Sequence, residues 1–165
     1  MKYTQLNDVS WMVEDIYPEE IIKECQQQDV NSLNWEALGK GMGEFSQEHT
    51  VRRMLVCEPP NVFARLNSYI LDLIPTVTEI TNKQISYCDT RVWADYPGYF
   101  ASRHLDNDAV YVTLQVYLND GDVELGTYFT DSMKGQAQYK IPYKPNVGYI
   151  MRSEEHTSEL QSHSF

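Results

Sequence analysis

YPGYFASRHLDNDAVYVTLQVYLN, residues 96–119, decides how the rest of this chain is read. At its centre His104 and Asp106 flank Leu105. Alternate residues of an extended strand project to the same side, so an imidazole and a carboxylate at this spacing can reach one metal ion. A mixed nitrogen and oxygen ligand set that leaves coordination positions open favours Fe(II) over zinc. His-x-Asp is a weak signal alone, and a surface histidine beside a turn carboxylate is the plain alternative. The flanks add weight. Tyr96-Pro97-Gly98 marks a turn before the pair, residues 111–119 form a strand pattern after it, and Asn119-Asp120-Gly121 carries a hairpin signal.

Together with the later pieces LGTYFTD (125–131) and IPYKPNVGYIM (141–151), the segments YPGYFASRHLDN and TLQVYLND resemble the Fe(II)- and 2-oxoglutarate-dependent dioxygenases, in the branch related to prolyl 4-hydroxylases. The resemblance spans roughly residues 85–151. It implies an α+β, mainly β domain: a double-stranded β-helix of jelly-roll or cupin-like form, with N-terminal helices packed outside. It also implies His104 and Asp106 as catalytic metal ligands for Fe(II), and 2-oxoglutarate as co-substrate, with ascorbate as a candidate reductant. Tyr117 falls where the family uses a strand tyrosine to hydrogen-bond the distal carboxylate of 2-oxoglutarate, and a phenol donor suits that task; otherwise it is a space-filling barrel aromatic. Tyr96 lies in the turn that brings a tyrosine beside the cofactor pocket. Gly126 and Thr127 resemble the family's Gly-Gly-Thr, with Leu125 in place of the first glycine.

The implied reaction hydroxylates a substrate while 2-oxoglutarate yields succinate and CO2. The substrate is a small molecule or a peptide, with a prolyl or other amino-acid side chain as candidates. A cupin-like metal enzyme of another class and a non-catalytic β-barrel binding domain are the alternatives. Thr113 and Gln115 share the strand parity of Tyr117. They face either the pocket or the outer surface of the barrel, and parity does not decide which.

The end of the sequence reads differently. RSEEHTSELQS, from Arg152, is similar to the translation of a common sequencing-library adapter, and residues 152–165 lack the periodicity of the strands before them. The expected oxygenase domain is therefore 1–151, truncated at its C-terminal side, followed by a non-native tail at 152–165. By resemblance the third metal ligand and the basic residue that clamps 2-oxoglutarate lie beyond Met151, so this chain is expected to bind Fe(II) weakly and to be inactive. His156 and His163 are not ligands under that view.

At 165 residues the chain has the length of one domain. Twelve Tyr and three Trp suit a β-rich core with aromatic pairs across strands. The net charge of −11 is dispersed and argues against nucleic-acid binding through phosphates. No apolar run approaches the length of a membrane span, and the N-terminus has no apolar leader. Cys25, Cys57 and Cys88 are odd in number and widely spaced, as expected for reduced thiols in the cytoplasm. Nothing in the sequence bears on oligomeric state.

Elsewhere the pattern predicts a short strand at Trp11-Met12-Val13 and a helix opened by Pro18 with an Ile21, Ile22, Cys25 stripe. An irregular loop follows over 31–50, serving as a lid or simply mobile, then a short strand beginning at Arg52. Residues 61–82 form the clearest helix, with Pro75 ending or kinking it near Ile74. Strand patterns begin at Gln84 and recur over 110–118, 125–130, 138–143 and from Val147, with a turn at Pro145-Asn146.

Overall fold

The computed structural model describes residues 1–37, 52–55, 62–95, 110–122, 125–130, 136–153 and 158–162. These residues form a mixed α+β structure with more strand than helix, and every strand pairing is antiparallel. In chain order they are β1 (Lys2–Gln5), β2 (Ser10–Glu14), α1 (Glu19–Gln26), β3 (Trp35–Ala37), β4 (Arg52–Leu55), α2 (Val62–Thr81), β5 (Trp93–Asp95), β6 (Val112–Val116), β7 (Gly126–Thr130), β8 (Ala137–Pro142), β9 (Val147–Arg152) and β10 (Ser158–Ser162). A single 3-10 turn, Val30–Ser32, precedes β3.

Three sheets result, with strand orders β1-β2-β9-β6, β10-β7-β8 and β3-β4-β5. The first sheet is apolar on both faces. Along β9, Ile150 points into a core with Trp11, Val13 and the buried residues of α1 and α2. Its neighbours Tyr149 and Met151 point the other way, into a second core with Phe129 of β7 and Ile141 of β8. The period-2 alternation of a strand thus splits one element between two cores. Helices cover one face of the four-stranded sheet, and the β10-β7-β8 sheet packs on the other.

Local chemistry explains most elements. Pro18 caps α1, Glu19 and Glu20 occupy its positive first turn, and Ile21, Ile22 and Cys25 are its buried stripe. The Pro145-Asn146 turn leads into β9, and Asn146 takes a positive φ of 61°. Its side-chain Oδ1 accepts from the backbone N–H groups of Ile16 (3.0 Å) and Tyr17 (2.9 Å), and its Nδ2 donates to the Tyr17 carbonyl at 2.8 Å. That latch fixes the junction between β2 and α1 against the start of β9.

Helix α2 continues through Pro75 to Thr81 instead of stopping near Ile74. The proline and Leu71, the residue one turn earlier, are both exposed, while Val77 and Thr81 beyond it are buried. Burial of the last turn holds the helix on course where propensity predicts a break. Residues 83–92 contain no strand, and Tyr87 is 81% exposed. The β pattern there begins only at Trp93, because a strand needs a paired neighbour as well as alternation. The start of the 31–50 loop holds the 3-10 turn and β3; the remainder, 38–50, lies outside the described residues.

Arg152, the first residue of the adapter-like segment, continues β9, and its guanidinium donates to the carbonyls of Thr81 at 3.2 Å and Asp8 at 3.3 Å. Ser158–Ser162 pairs with β7 as an edge strand. Its sequence has no strand period, but edge pairing draws on backbone N–H and C=O groups alone.

Candidate functional site

Tyr117 continues the β6 pairing, its N–H donating to the Val147 carbonyl at 2.9 Å and its own carbonyl accepting from the Asn146 N–H at 2.7 Å. Two residues of strand parity separate it from Gln115, and both side chains face the layer between the four-stranded sheet and β7–β8. Val112, Leu114 and Val116 face the helices. The parity that leaves two options in sequence is settled here: Thr113, Gln115 and Tyr117 point inward.

The Tyr117 side chain is 5% exposed, and its hydroxyl lies 2.6 Å from Thr127 Oγ1, itself fully buried. The Tyr117 ring stacks on Tyr143, with centroids 4.5 Å apart. One residue pair along, the Tyr149 hydroxyl donates to Gln115 Oε1 at 3.1 Å. Phe129 meets the Tyr149 ring edge-on at 5.1 Å. A polar row of hydroxyls and one amide therefore crosses an otherwise apolar layer. Buried polar groups of this kind persist because they are hydrogen-bonded.

Two glycines make the close packing possible. Gly126 has a φ of +140°, and a Cβ there would meet the Ile141 carbonyl at 1.9 Å. A Cβ on Gly148 would meet the Gln115 carbonyl at the same distance. Gly126 sets the path of β7 just before Thr127, and Gly148 lets β9 approach β6 beside Gln115.

Burial raises the Tyr143 phenol above its ordinary value, and the carboxylate of Asp95 adds to the effect. Asp95 ends β5 and directly precedes Tyr96-Pro97-Gly98 in sequence. Tyr96 itself lies outside the described residues, as do His104 and Asp106. All four histidines of the chain fall outside them too. Among the described residues no group of three or more His, Cys, Asp or Glu is placed to hold a metal ion.

Of the residues singled out in sequence, the described structure brings together Tyr117 and Thr127. It adds Tyr143 and Tyr149, which the sequence placed only within the IPYKPNVGYIM piece, and gives Gln115 a direction.

A separate groove opens at the surface beside α1, lined by Asp15, Tyr17, Lys23, Gln26, Asp120 and Asn146 among others, and by neither the Tyr117 nor the Thr127 side chain. Of its charged groups, Asp15 pairs with Lys2 at 2.7 Å and Lys23 with Glu19 at 2.6 Å. Among the described residues no helix is long and apolar enough to cross a membrane.

No family model matches the chain, and no curated protein matches it.

Proposed function

We propose that this chain belongs to an Fe(II)- and 2-oxoglutarate-dependent oxygenase with a double-stranded β-helix fold, acting on a small molecule or an amino-acid side chain, prolyl among the candidates. One observation carries most of the weight. Tyr117, from TLQVYLND, and Thr127, from LGTYFTD, lie ten residues apart and share a buried hydrogen bond between two packed antiparallel sheets. Those two pieces, with the IPYKPNVGYIM piece that supplies Tyr143 and Tyr149, are the ones on which the family resemblance rests.

His104 and Asp106 would hold the metal, which when bound supplies the open coordination positions for oxidative decarboxylation and oxygen insertion. The residues of this chain supply orientation. Tyr117 and Thr127 bind the distal carboxylate in a dry layer, where a hydrogen bond to an ionised oxygen is stronger than one between neutral groups. Free thiols at Cys25 and Cys88 support a reducing compartment, hence the cytoplasm.

Anaerobic titration of the chain with Fe(II), then 2-oxoglutarate, tests this. His104→Ala and Asp106→Ala should each abolish the metal binding that the parent chain shows, however weak. Turnover of 2-oxoglutarate is followed as succinate release. Metal binding without any response to 2-oxoglutarate would favour a cupin-like enzyme of another class. Unchanged metal behaviour in both variants would favour a non-catalytic barrel.

A further inference from the structure

We infer that β1 is a self-complementary sheet edge, through which two copies of this chain pair antiparallel and join their four-stranded sheets into one continuous sheet. The inference does not depend on the oxygenase reading. β1 is the outermost strand in the order β1-β2-β9-β6, and all four of its residues are exposed.

The direction of the backbone groups carries it. The Leu6 N–H donates to the Ser10 carbonyl at 2.9 Å, and the register runs on unbroken through Thr4↔Met12 and Lys2↔Glu14. Hydrogen-bonded and non-hydrogen-bonded pairs alternate along an antiparallel ladder, so Leu6, Thr4 and Lys2 direct their N–H and C=O groups at β2. Those of Tyr3 and Gln5 point away from the sheet. Among the described residues no backbone partner is placed on that side. Such an edge is a template for another strand, and a proline, a bulge or a lysine is the common block. β1 has no proline and no bulge, and the ammonium of its one lysine, Lys2, is drawn to Asp15 at 2.7 Å.

Symmetry sets the register, and the register is free of conflict. A two-fold axis at Thr4 places Tyr3 opposite Gln5 of the second copy, and Gln5 opposite its Tyr3, with both outward N–H and C=O groups of each pair bonded. Thr4 meets its own counterpart, a favourable cross-strand pair. Lys2 falls opposite Leu6 and diagonal to the turn that carries Asp8, so an ammonium comes beside a carboxylate-bearing turn and never against its own copy. Tyr3, 56% exposed in the single chain, lies diagonal to its counterpart, within reach for the two rings to meet across the axis. The pairing uses β1 of both copies, so it closes at a dimer and does not grow into a fibre. Strands this short bury less than the ~1,200 Å² at the low end of specific interfaces, so the dimer is weak and reversible.

Sedimentation equilibrium on the full chain tests this. The mass should climb from 19.2 kDa towards twice that value between about 20 μM and about 1 mM, the range of a weak interface. Over the same range amide exchange should slow at Tyr3 and Gln5 and stay constant at Thr4, which is already bonded to β2. Thr4→Lys sets two ammonium groups face to face on an exposed strand, and should hold the chain at monomer mass with an unaltered melting curve. Thr4→Cys reads the register, because Thr4 and its counterpart form a non-hydrogen-bonded pair with Cα atoms about 4.5 Å apart, inside the disulfide range. Oxidised glutathione should link this variant to its own copy, the two thiols losing two protons and two electrons as the glutathione disulfide is reduced to two thiols. Tyr3→Cys, offset from its counterpart, and the parent chain with its own three cysteines should link far less. Monomer mass at every concentration would overturn the inference, as would an association that Thr4→Lys leaves unchanged. Equal linking through Tyr3→Cys, or a mass that rises past the dimer, would show contact without this pairing and overturn it too.

Discussion

The Tyr117 hydroxyl sits 2.6 Å from Thr127 Oγ1 where water has little access. Tyr117→Phe deletes one partner and strands the other, at a cost of about 1–2 kcal/mol, visible as a lower urea midpoint with an unchanged slope. An unchanged midpoint would mean that the pair adds nothing net to the fold. A second residue responds to pH. Burial pushes the Cys25 thiol from its ordinary 9.0 up to about 11, and the nearby Glu24 carboxylate adds to the rise. The unfolded chain therefore releases this proton first. Stability is intact below about pH 9 and falls as pH rises from there towards 11, by at most about 1.4 kcal/mol per pH unit. The Tyr17 phenol, raised chiefly by its own burial, carries the loss further into alkali. Urea denaturation at pH 8 and pH 10.5 checks it: equal midpoints would show that Cys25 is solvated.

At the scale of elements, the β2–α1 junction depends on one side chain from the far end of the chain. Asn146 makes three side-chain hydrogen bonds to Ile16 and Tyr17 from a backbone at φ 61°. Asn146→Ala removes all three and puts a less tolerant residue at positive φ, an expected loss of about 2–4 kcal/mol. Asn146→Gly restores the backbone freedom but not the bonds, so it should fall between alanine and the parent in thermal denaturation. Glycine matching the parent would show that the latch contributes nothing. In sequence Pro145-Asn146 was legible as a turn, because Pro and Asn have local conformational preferences. Its partners some 130 residues away were not, because no local pattern encodes them. The same division runs through the other elements. The stripe of α1, the bulk of α2 and strands β6 to β9 follow from periodicity. The passage of α2 through Pro75 and the pairing of β10 depend on tertiary neighbours. At the candidate site, parity put Gln115 and Tyr117 on one face; only the packing of the second sheet says that this face is interior.

For the molecule as a whole, β9 is the shared wall between two cores. Ile150 belongs to the helix–sheet core and Met151 to the core between sheets, and both are essentially fully buried. Ile150→Val should cost about 0.5–1.5 kcal/mol and Met151→Ala about 2–5 kcal/mol. The location of the damage should differ more than its size. The first should raise amide exchange in α1 and α2, the second in β7 and β8, since local opening follows the packing lost. The two side chains leave opposite faces of one strand and share no buried neighbour in their respective clusters. Their effects should then add to within about 0.5 kcal/mol in the double variant. A coupling well above that, or exchange that rises uniformly after either change, would show that the layers melt as one body. In that case a helix-side substitution such as Ile150→Val would also disturb the polar row at Tyr117, Thr127 and Gln115, and amide exchange in β7 and β8 would rise with it. Independent layers predict the reverse: Ile150→Val lowers stability and leaves amide exchange in β7 and β8 unchanged.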